Sequence, residues 1–196
     1  MSNNLTTGKS LTLPIILAGA LLMSAMLSAC DTLNEMTINQ EPPPCPQVST
    51  LGEAASVTRF VEGPGRDLID IDFTAKIVKL SGKCVYEYDS DTGEGIVRVE
   101  LSPKFRIERG AANRTRTADF TYFISILDDT GAIMDKQLLS YSGKYWKNKD
   151  VISDTDRGIE VSIPFNSEQY GEDFSVYVGF QLSEEELQYN RGLIRH

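Results

Sequence analysis

The sequence predicts an all-β fold, an antiparallel immunoglobulin-like β-sandwich that ends in one short C-terminal helix. Apolar and polar residues alternate from Ile69 to Ile77, and a period of two places side chains on one face only in a strand. Polar turns that contain Gly, such as residues 128–131, lie between apolar runs as hairpin loops do. No segment of helical period separates consecutive strands, so a sandwich or barrel is expected, and we favour the sandwich.

These patterns give nine strand segments, which correspond to about eight strands, and one helix comes after them. The strand segments are residues 57–61, 69–77, 84–88, 96–101, 105–107, 118–127, 133–141, 159–165 and 174–182. Ser183 and Glu186 form a capping-box pattern with acidic residues in the first turn, which predicts a helix over residues 184–191. This helix either lies against the sandwich or docks a partner, and its shortness favours the first alternative.

The first thirty residues predict a secretory signal peptide. They contain one charged residue, Lys9, and an apolar core over residues 11–26. Pro14 and Gly19 interrupt this core, which is also too short for a membrane span. Small residues follow the core directly, as they do at a cleavage site.

The last four residues of this segment, Leu27, Ser28, Ala29 and Cys30, resemble the lipobox of bacterial lipoproteins. The resemblance implies that Cys30 receives a diacylglyceryl group and becomes the acylated N-terminus, which would anchor the protein to a membrane without spanning it. The alternative is an ordinary signal peptide cut near Ala29, with Cys30 an incidental thiol. Asp31 directly follows Cys30, which resembles inner-membrane lipoproteins of enteric bacteria, where Asp follows the lipidated Cys. The choice between inner and outer membrane stays open.

Three regions are therefore expected along the chain. Residues 1–29 are the lipoprotein signal peptide, residues 30–50 are the lipidated Cys and a Pro-rich tether, and residues 51–196 are the β-sandwich domain. The tether has no apolar periodicity, and its four prolines favour an extended chain of up to roughly 45 Å between Cys30 and Cys45. The stretch Gly179, Phe180, Gln181 and Leu182 before the acidic helix also resembles uncharacterised bacterial envelope lipoproteins.

Charge and cysteine content restrict the environment and the partners. From Cys30 onward the chain has 18 basic and 28 acidic residues, a net charge of −10, which argues against nucleic acid as a partner. With Cys30 acylated, Cys45 and Cys84 remain as a pair in an exported and oxidising compartment, which predicts a disulfide between them. Two free thiols or a metal pair are the alternatives, but the one His of the chain, His196, leaves no ligand set for a metal.

Candidate catalytic groups are few. A Ser and His mechanism would need an imidazole near a nucleophile, and His196 is the last residue of the chain. Neighbouring carboxylates, such as Asp128 and Asp129, lie in expected turns or on solvent-facing strand positions. Residues 89–100 match a calcium loop at both ends but not in the middle, so we interpret residues 89–94 as a polar hairpin loop.

Two segments of the sequence are basic although the chain as a whole is acidic, and the candidate partner-binding residues within them are Arg106, Arg109, Arg114, Arg116 and Trp146. Five cations fall within thirteen residues, and a second segment combines lysines with two aromatic residues: Lys104, Arg106, Arg109, Arg114 and Arg116, then Lys144, Tyr145, Trp146, Lys147 and Lys149. One interpretation, which exposure statistics favour, buries Trp146 in the core and leaves the cations solvated. The other makes both segments an interaction surface, because Arg, Tyr and Trp dominate binding hot spots.

The function expected from the sequence is that of a non-catalytic, lipid-anchored envelope lipoprotein that faces the periplasm. It would act as a structural or protein-interaction module, with a membrane contact through Cys30, another envelope protein as partner and no cofactor. A small-ligand carrier or sensor is the alternative, and it would need an apolar cavity between the sheets. An enzyme is the third class, and the lack of a nucleophile, base or metal set argues against it.

Overall fold

The computed structural model describes residues 43–194, which form two packed β-sheets and a C-terminal helix. This part of the chain contains nine strands: β1 (Gln47–Thr50), β2 (Ser56–Phe60), β3 (Ile71–Tyr88), β4 (Gly95–Arg109), β5 (Thr117–Leu127), β6 (Ile133–Lys144), β7 (Val151–Thr155), β8 (Ile159–Phe165) and β9 (Ser175–Phe180). Helix α1 (Glu184–Ile194) follows β9. The signal peptide, Cys30, residues 30–42 of the tether and His196 lie outside the described residues.

The two sheets pack as a sandwich. The first sheet has the order β1-β9-β5-β6, in which β1 is parallel to β9 and the other pairs are antiparallel. The second sheet has the order β2-β3-β4, and β7 and β8 lie one after the other along the far edge of β4. The predicted all-β sandwich with a short C-terminal helix is confirmed, and its immunoglobulin-like strand order stays a prediction.

The longest feature is the hairpin of β3 and β4, which have 18 and 15 residues and pair along almost their whole length. The sequence pattern predicts four shorter strands here, partly because Gly82 resembles a turn. Gly82 instead lies inside β3, where a Cβ atom would lie 3.0 Å from the Val48 side chain, so the glycine allows β1 to approach. Pro103 is likewise inside β4, opposite Leu80.

Two short strands of the structure, β1 and β7, are not predicted from the sequence. Strand β1 falls within residues 30–50, which the sequence predicts to be part of the tether, and it pairs with β9 from Gln47 opposite Ser175. Strand β7 pairs with residues 104–108 of β4. Both strands have four or five residues and too few apolar positions for a clear period, so pairing with a long neighbour makes them strands. The folded domain therefore includes residues 47–50.

The core between the sheets is organised around the buried ring of Phe105. Its centroid lies 5.2 Å from the rings of Phe120 and Tyr122, 5.3 Å from Tyr141 and 5.8 Å from Phe180. Aromatic pairs at such separations contribute about 0.5–1.5 kcal/mol each beyond the burial of their area. The centre of the sandwich is therefore filled with side chains of both sheets.

Two tyrosines of the first sheet reach acidic side chains at the far edge of the second. The Tyr122 hydroxyl donates to Asp156 Oδ2 at 2.7 Å, and the Tyr141 hydroxyl donates to Asp154 Oδ2 at 3.1 Å. Burial, and after it the neighbouring carboxylate, raises the pKa of both tyrosines. Both hydroxyls therefore stay protonated and tie the sheets together near β7.

The predicted disulfide between Cys45 and Cys84 is confirmed. The two residues are 39 positions apart in sequence, and their Cα atoms lie 5.8 Å apart, within the range that a disulfide requires. The bond joins the segment before β1 to β3. Beside it, the Tyr86 hydroxyl donates to the carbonyl oxygen of Pro44, so the entering chain is fixed to the domain at two points.

Helix α1 begins as the capping box predicts and extends three residues beyond the predicted end. Ser183 N–H donates to Glu186 Oε2 at 2.8 Å, and Glu186 N–H donates to Ser183 Oγ at 3.2 Å. Asn190, which is buried, donates through Nδ2 to the carbonyl oxygens of Glu53 and Ser56. The helix thus lies against the sandwich, as the first of the two alternatives expects.

Replacing Cys45 and Cys84 together by Ala should lower the free energy of unfolding by about 4 kcal/mol, because the unfolded chain is released from a closed loop of about 40 residues. Urea titration of the purified full-length chain, followed by circular dichroism, measures the change. An unchanged transition midpoint would show that the bond contributes nothing to stability.

Candidate protein-interaction surface

The turn between β6 and β7, residues 145–150, holds the aromatic pair singled out in the sequence, and we call it the Trp146 turn. Its two aromatic residues have opposite environments. Tyr145 is 2% exposed and belongs to the core, whereas Trp146 is 67% exposed. The interpretation that buries Trp146 in the core is therefore wrong. Of the two aromatic residues, Tyr145 is the one that lies in the core.

Backbone hydrogen bonds within the Trp146 turn and to the loop between β4 and β5 fix the shape of the turn. Tyr145 N–H donates to the Arg116 carbonyl at 2.9 Å, and Lys149 N–H donates to the Trp146 carbonyl at 3.0 Å. Lys147 and Arg116 both adopt left-handed backbone conformations, with φ of 48° and 58°. Such conformations are unfavourable for residues with a side chain and persist where surrounding contacts impose them.

Two arginines of the basic segment supply those contacts. The Arg116 guanidinium donates to the carbonyl oxygens of Lys147 and Lys149, the second at 3.1 Å. Arg109 donates through Nη1 to Asp150 Oδ1 at 3.2 Å, and its backbone N–H donates to the Asp150 carbonyl at 2.8 Å. Arg116 Nη1 also lies 3.7 Å from Asp150 Oδ1. Both cations are thus part of the scaffold of the turn.

Asn113, which no sequence pattern indicated, connects these arginines to the sandwich. The residue is fully buried. Its Nδ2 donates to Asp72 Oδ1 at 2.8 Å and to the Thr117 carbonyl at 2.9 Å. Its Oδ1 accepts from Arg116 N–H at 2.8 Å and from Arg109 Nε at 3.4 Å. A buried amide with both ends bonded fixes the loop in one arrangement.

The remaining cations of the predicted surface divide into two kinds. Arg106 lies on β4 and donates to Glu108 of the same strand at 2.8 Å, so its charge is locally neutralised. Arg114 is exposed in the loop between β4 and β5, and no ion pair to it occurs among the described residues. Lys147 Nζ lies 5.8 Å from the centroid of the Trp146 ring, a cation–π distance. The exposed surface therefore consists of Trp146, Lys147 and Lys149, with Arg114 on the adjoining loop.

Several acidic side chains noted in the sequence bond to backbone groups of their own turns. Asp89 Oδ1 accepts from Asp91 N–H at 2.8 Å, which confirms that residues 89–94 form a polar hairpin loop. Asp128 Oδ1 accepts from Ala132 N–H and from Thr130, and the Thr130 hydroxyl contributes most to lowering the Asp128 pKa. Within residues 43–194, no three His, Cys, Asp or Glu side chains lie close enough together to hold a metal ion.

The small-ligand alternative expects a cavity between the sheets, and one groove of the described domain lies on its surface. The groove has a volume of about 710 Å³, and Asp119, Leu138 and Ser140 form part of its lining along β5 and β6. Arg59 and Glu186 form another wall, with Arg59 Nε 2.8 Å from Glu186 Oε1 as an ion pair without hydrogen-bond geometry.

Comparison of the chain with protein-family models, with curated proteins and with solved structures finds no match. Among residues 43–194, no helix is long and apolar enough to cross a membrane. The candidate surface is thus defined by its own residues and geometry.

Tyr145→Phe should leave the free energy of unfolding unchanged or raise it by up to ~1 kcal/mol. The Tyr145 hydroxyl is buried and has no hydrogen-bond partner among the described residues, so its removal relieves a desolvation cost. Tyr122→Phe is the control, and it should lower the free energy of unfolding by about 1.5–3 kcal/mol because a bond to a carboxylate is lost.

The stabilities of Tyr145→Phe and of the parent protein should also differ at alkaline pH. Burial, followed by the charge of Asp72, raises the pKa of Tyr145 to about 12, while Arg109 opposes this shift. An unfolded Tyr has a pKa of about 10. The contribution of protonated Tyr145 to the free energy of unfolding is therefore fully present below that pH and is lost as pH rises through the folded pKa. Urea titrations between pH 8 and pH 12, as a rough range around these pKa values, should show a shallower alkaline loss for Tyr145→Phe. An identical slope would contradict this account.

Proposed function

We propose that this chain is a bacterial lipoprotein that acyl chains on Cys30 anchor to the cell envelope, with a periplasm-facing β-sandwich that contacts another protein and catalyses no reaction. The lipobox at residues 27–30 supports the anchor. The disulfide between Cys45 and Cys84 supports export, because such bonds persist in oxidising compartments. Several acyl chains, at about 0.8 kcal/mol per buried methylene, hold a protein on a bilayer stably.

The observation that supports a contact function most strongly is the exposed Trp146 on a fixed turn. A large, exposed aromatic side chain contributes to association when a partner covers it, and Trp is among the residues most often found in hot spots. Arg109, Arg116 and Asn113 already hold the turn in one conformation, so binding loses less conformational entropy there. Lys147 and Lys149 beside it favour an acidic partner surface.

The surface also lies away from the point where the chain enters the domain. Pro44 is bonded to Tyr86 near the β3–β4 hairpin loop, whereas the Trp146 turn is bonded to Arg109 at the other end of β4. The thirteen-residue span of β3 between Phe73, the partner of Arg109, and Tyr86 corresponds to roughly 40 Å. Anchoring and partner contact would thus use opposite ends of the sandwich.

Cys30→Ser should move the full-length chain from the membrane fraction to the soluble periplasm or stall its processing, because no thiol remains for acylation. Fractionation of cells and the mass of the mature N-terminal peptide measure the outcome. Unchanged membrane association together with an unchanged mature mass would exclude the proposed anchor.

A photocrosslinking amino acid at position 146 should yield a covalent adduct to a protein when intact cells that produce the full-length chain are irradiated. The same substitution at Tyr170 is the matched control, since this aromatic residue is also exposed, at 58% against 67%, and lies in the loop before β9 near the chain entry. Equal adducts at both positions would argue against a specific surface.

Trp146→Ala should weaken this association by at least ~2 kcal/mol if the residue is a hot spot. The free energy of unfolding should change by less than ~0.5 kcal/mol, because the side chain is mostly outside the core. Thermal unfolding and the adduct yield from a second probe at Lys149 separate the two effects. Loss of stability without loss of adduct would contradict the proposal.

A further inference from the structure

The four sheet edges of the described domain differ in how well they are protected. Strands β1 and β2 have four and five residues, and α1 packs beside β2, where the rings of Phe60 and Tyr189 lie 5.2 Å apart. Residues 156–158 interrupt the edge formed by β7 and β8, and Pro164 lies within β8. Beyond β2, the edge of the second sheet continues along residues 77–88 of β3, where Lys79 and Lys83 are exposed and Cys84 is bonded to the entering chain. Strand β6 forms the fourth edge, with twelve residues and no proline. Long open edges of this kind are templates for pairing with another strand.

The backbone of β6 directs hydrogen-bonding groups toward the open side. Gln181 N–H donates to the Thr121 carbonyl, so Thr121 faces β9, and the alternation along β5 turns Tyr122 toward its partner Leu139 on β6. Leu138 and Ser140, the neighbours of Leu139, therefore direct their N–H and C=O groups away from β5. These groups lie where a further antiparallel strand would bond.

Between Lys136 and Lys144, the side chains of β6 carry no charge that would protect this edge. Lysine commonly protects open edges, but Lys136 extends over the sheet instead, where Nζ donates to Gln181 Oε1 at 3.0 Å and lies 4.6 Å from the Phe123 ring centroid. Leu138, at the middle of the strand, is 60% exposed, and Ile133 and Met134 at its start are also exposed. An apolar side chain at the centre of an open edge gains burial if a second strand pairs there.

We propose that a second copy of this chain pairs antiparallel along β6, with Leu138 opposite Leu138 of the second copy at the twofold axis. In this register Lys136 lies opposite Ser140 and Asp135 lies opposite Tyr141, so no like charges face each other. A register centred on Lys136 would oppose two lysines, and one centred on Ser140 would oppose Lys136 and Lys144. The paired sheets would form one continuous sheet of eight strands.

Charges beyond the strand favour the same arrangement. The antiparallel register brings the Trp146 turn of each copy to the level of residues 128–131 of the other, because both segments continue from the ends of β6. Lys147 then lies at the level of Asp129 of the second copy. The exposed basic and aromatic surface thus meets an acidic turn, although the chain as a whole is strongly acidic. The inference rests on the proposed function in this respect, since it names a second copy as the partner of the Trp146 turn.

A single cysteine at the twofold axis tests the register. Leu138→Cys places two thiols on directly opposed residues, whose Cα atoms in a hydrogen-bonded antiparallel pair lie about 5.5 Å apart, within disulfide range. Ser140→Cys is the matched control on the same edge, because its own copy is offset by four residues, or roughly 13 Å. Membranes from cells producing each full-length variant are isolated with free thiols blocked and analysed by non-reducing electrophoresis.

A band of twice the monomer mass for Leu138→Cys, absent for Ser140→Cys, is the expected result. Equal dimer yields for both variants, no dimer for either, or a disulfide to a different protein would each overturn the proposal. If Leu138→Cys forms no dimer while the photocrosslinker at position 146 still yields an adduct with another protein, the second-copy inference fails and the proposed contact function stands. If position 146 gives no adduct at all, the contact function fails.

Leu138→Lys provides a second, non-covalent test, because it places two ammonium groups at the twofold axis. The dimer dissociation constant should rise at least about tenfold, as measured by light scattering of the detergent-solubilised full-length chain. Val85→Lys is the control at a position of matching exposure, 61% against 60%, on β3. Equal dissociation constants for the two variants, with unchanged unfolding midpoints, would overturn the pairing.

Discussion

Pairing along almost the whole of β3 and β4 keeps the two ends of the domain apart and gives each end a different environment. At one end the disulfide of Cys84 and the bond from Tyr86 to Pro44 fix the entering chain. At the other end Arg109, the last residue of β4, holds Asp150 and with it the Trp146 turn. Strands β2, β7 and β8 complete the sheet that contains this hairpin, and the other sheet packs against it. Phe105 of β4 organises the aromatic core between the two sheets. The proposed anchor and the proposed partner contact would use these two separate ends.

In the basic segment, Arg109 and Arg116 hold the Trp146 turn in place, so part of this cluster of charges has a structural role. Exposed ion pairs contribute little to stability, and the pair of Arg109 with Asp150 is of that kind when considered alone. Its importance lies in the shared network, because Asn113 bonds both arginines and is itself buried. The network leaves Trp146 exposed and yet holds its backbone in one conformation. That combination, an apolar side chain in water on a fixed support, is what a contact surface requires.

Local rules predict much of this structure from the sequence, and non-local contacts decide the rest. The helix start at Ser183 and the hairpin loop at Asp89 follow from neighbouring residues, and the disulfide follows from compartment and parity. Gly82 and Pro103 resemble strand ends, but long-range pairing carries β3 and β4 through both. The exposure of Trp146 and the role of Asn113 depend on contacts between residues about thirty to forty positions apart in sequence, which no local pattern encodes.

Trp146 is the single tryptophan of the chain, so intrinsic fluorescence reports on this one side chain. The most direct measurement compares acrylamide quenching of the purified full-length protein with that of Leu138→Lys. We predict the emission of a solvated, freely quenched indole in the monomeric variant, and weaker quenching in the parent protein, where a second copy covers the turn. Blue-shifted emission resistant to acrylamide in Leu138→Lys would show that Trp146 is buried within its own domain, and equal, complete quenching in both proteins would show that no second copy covers it.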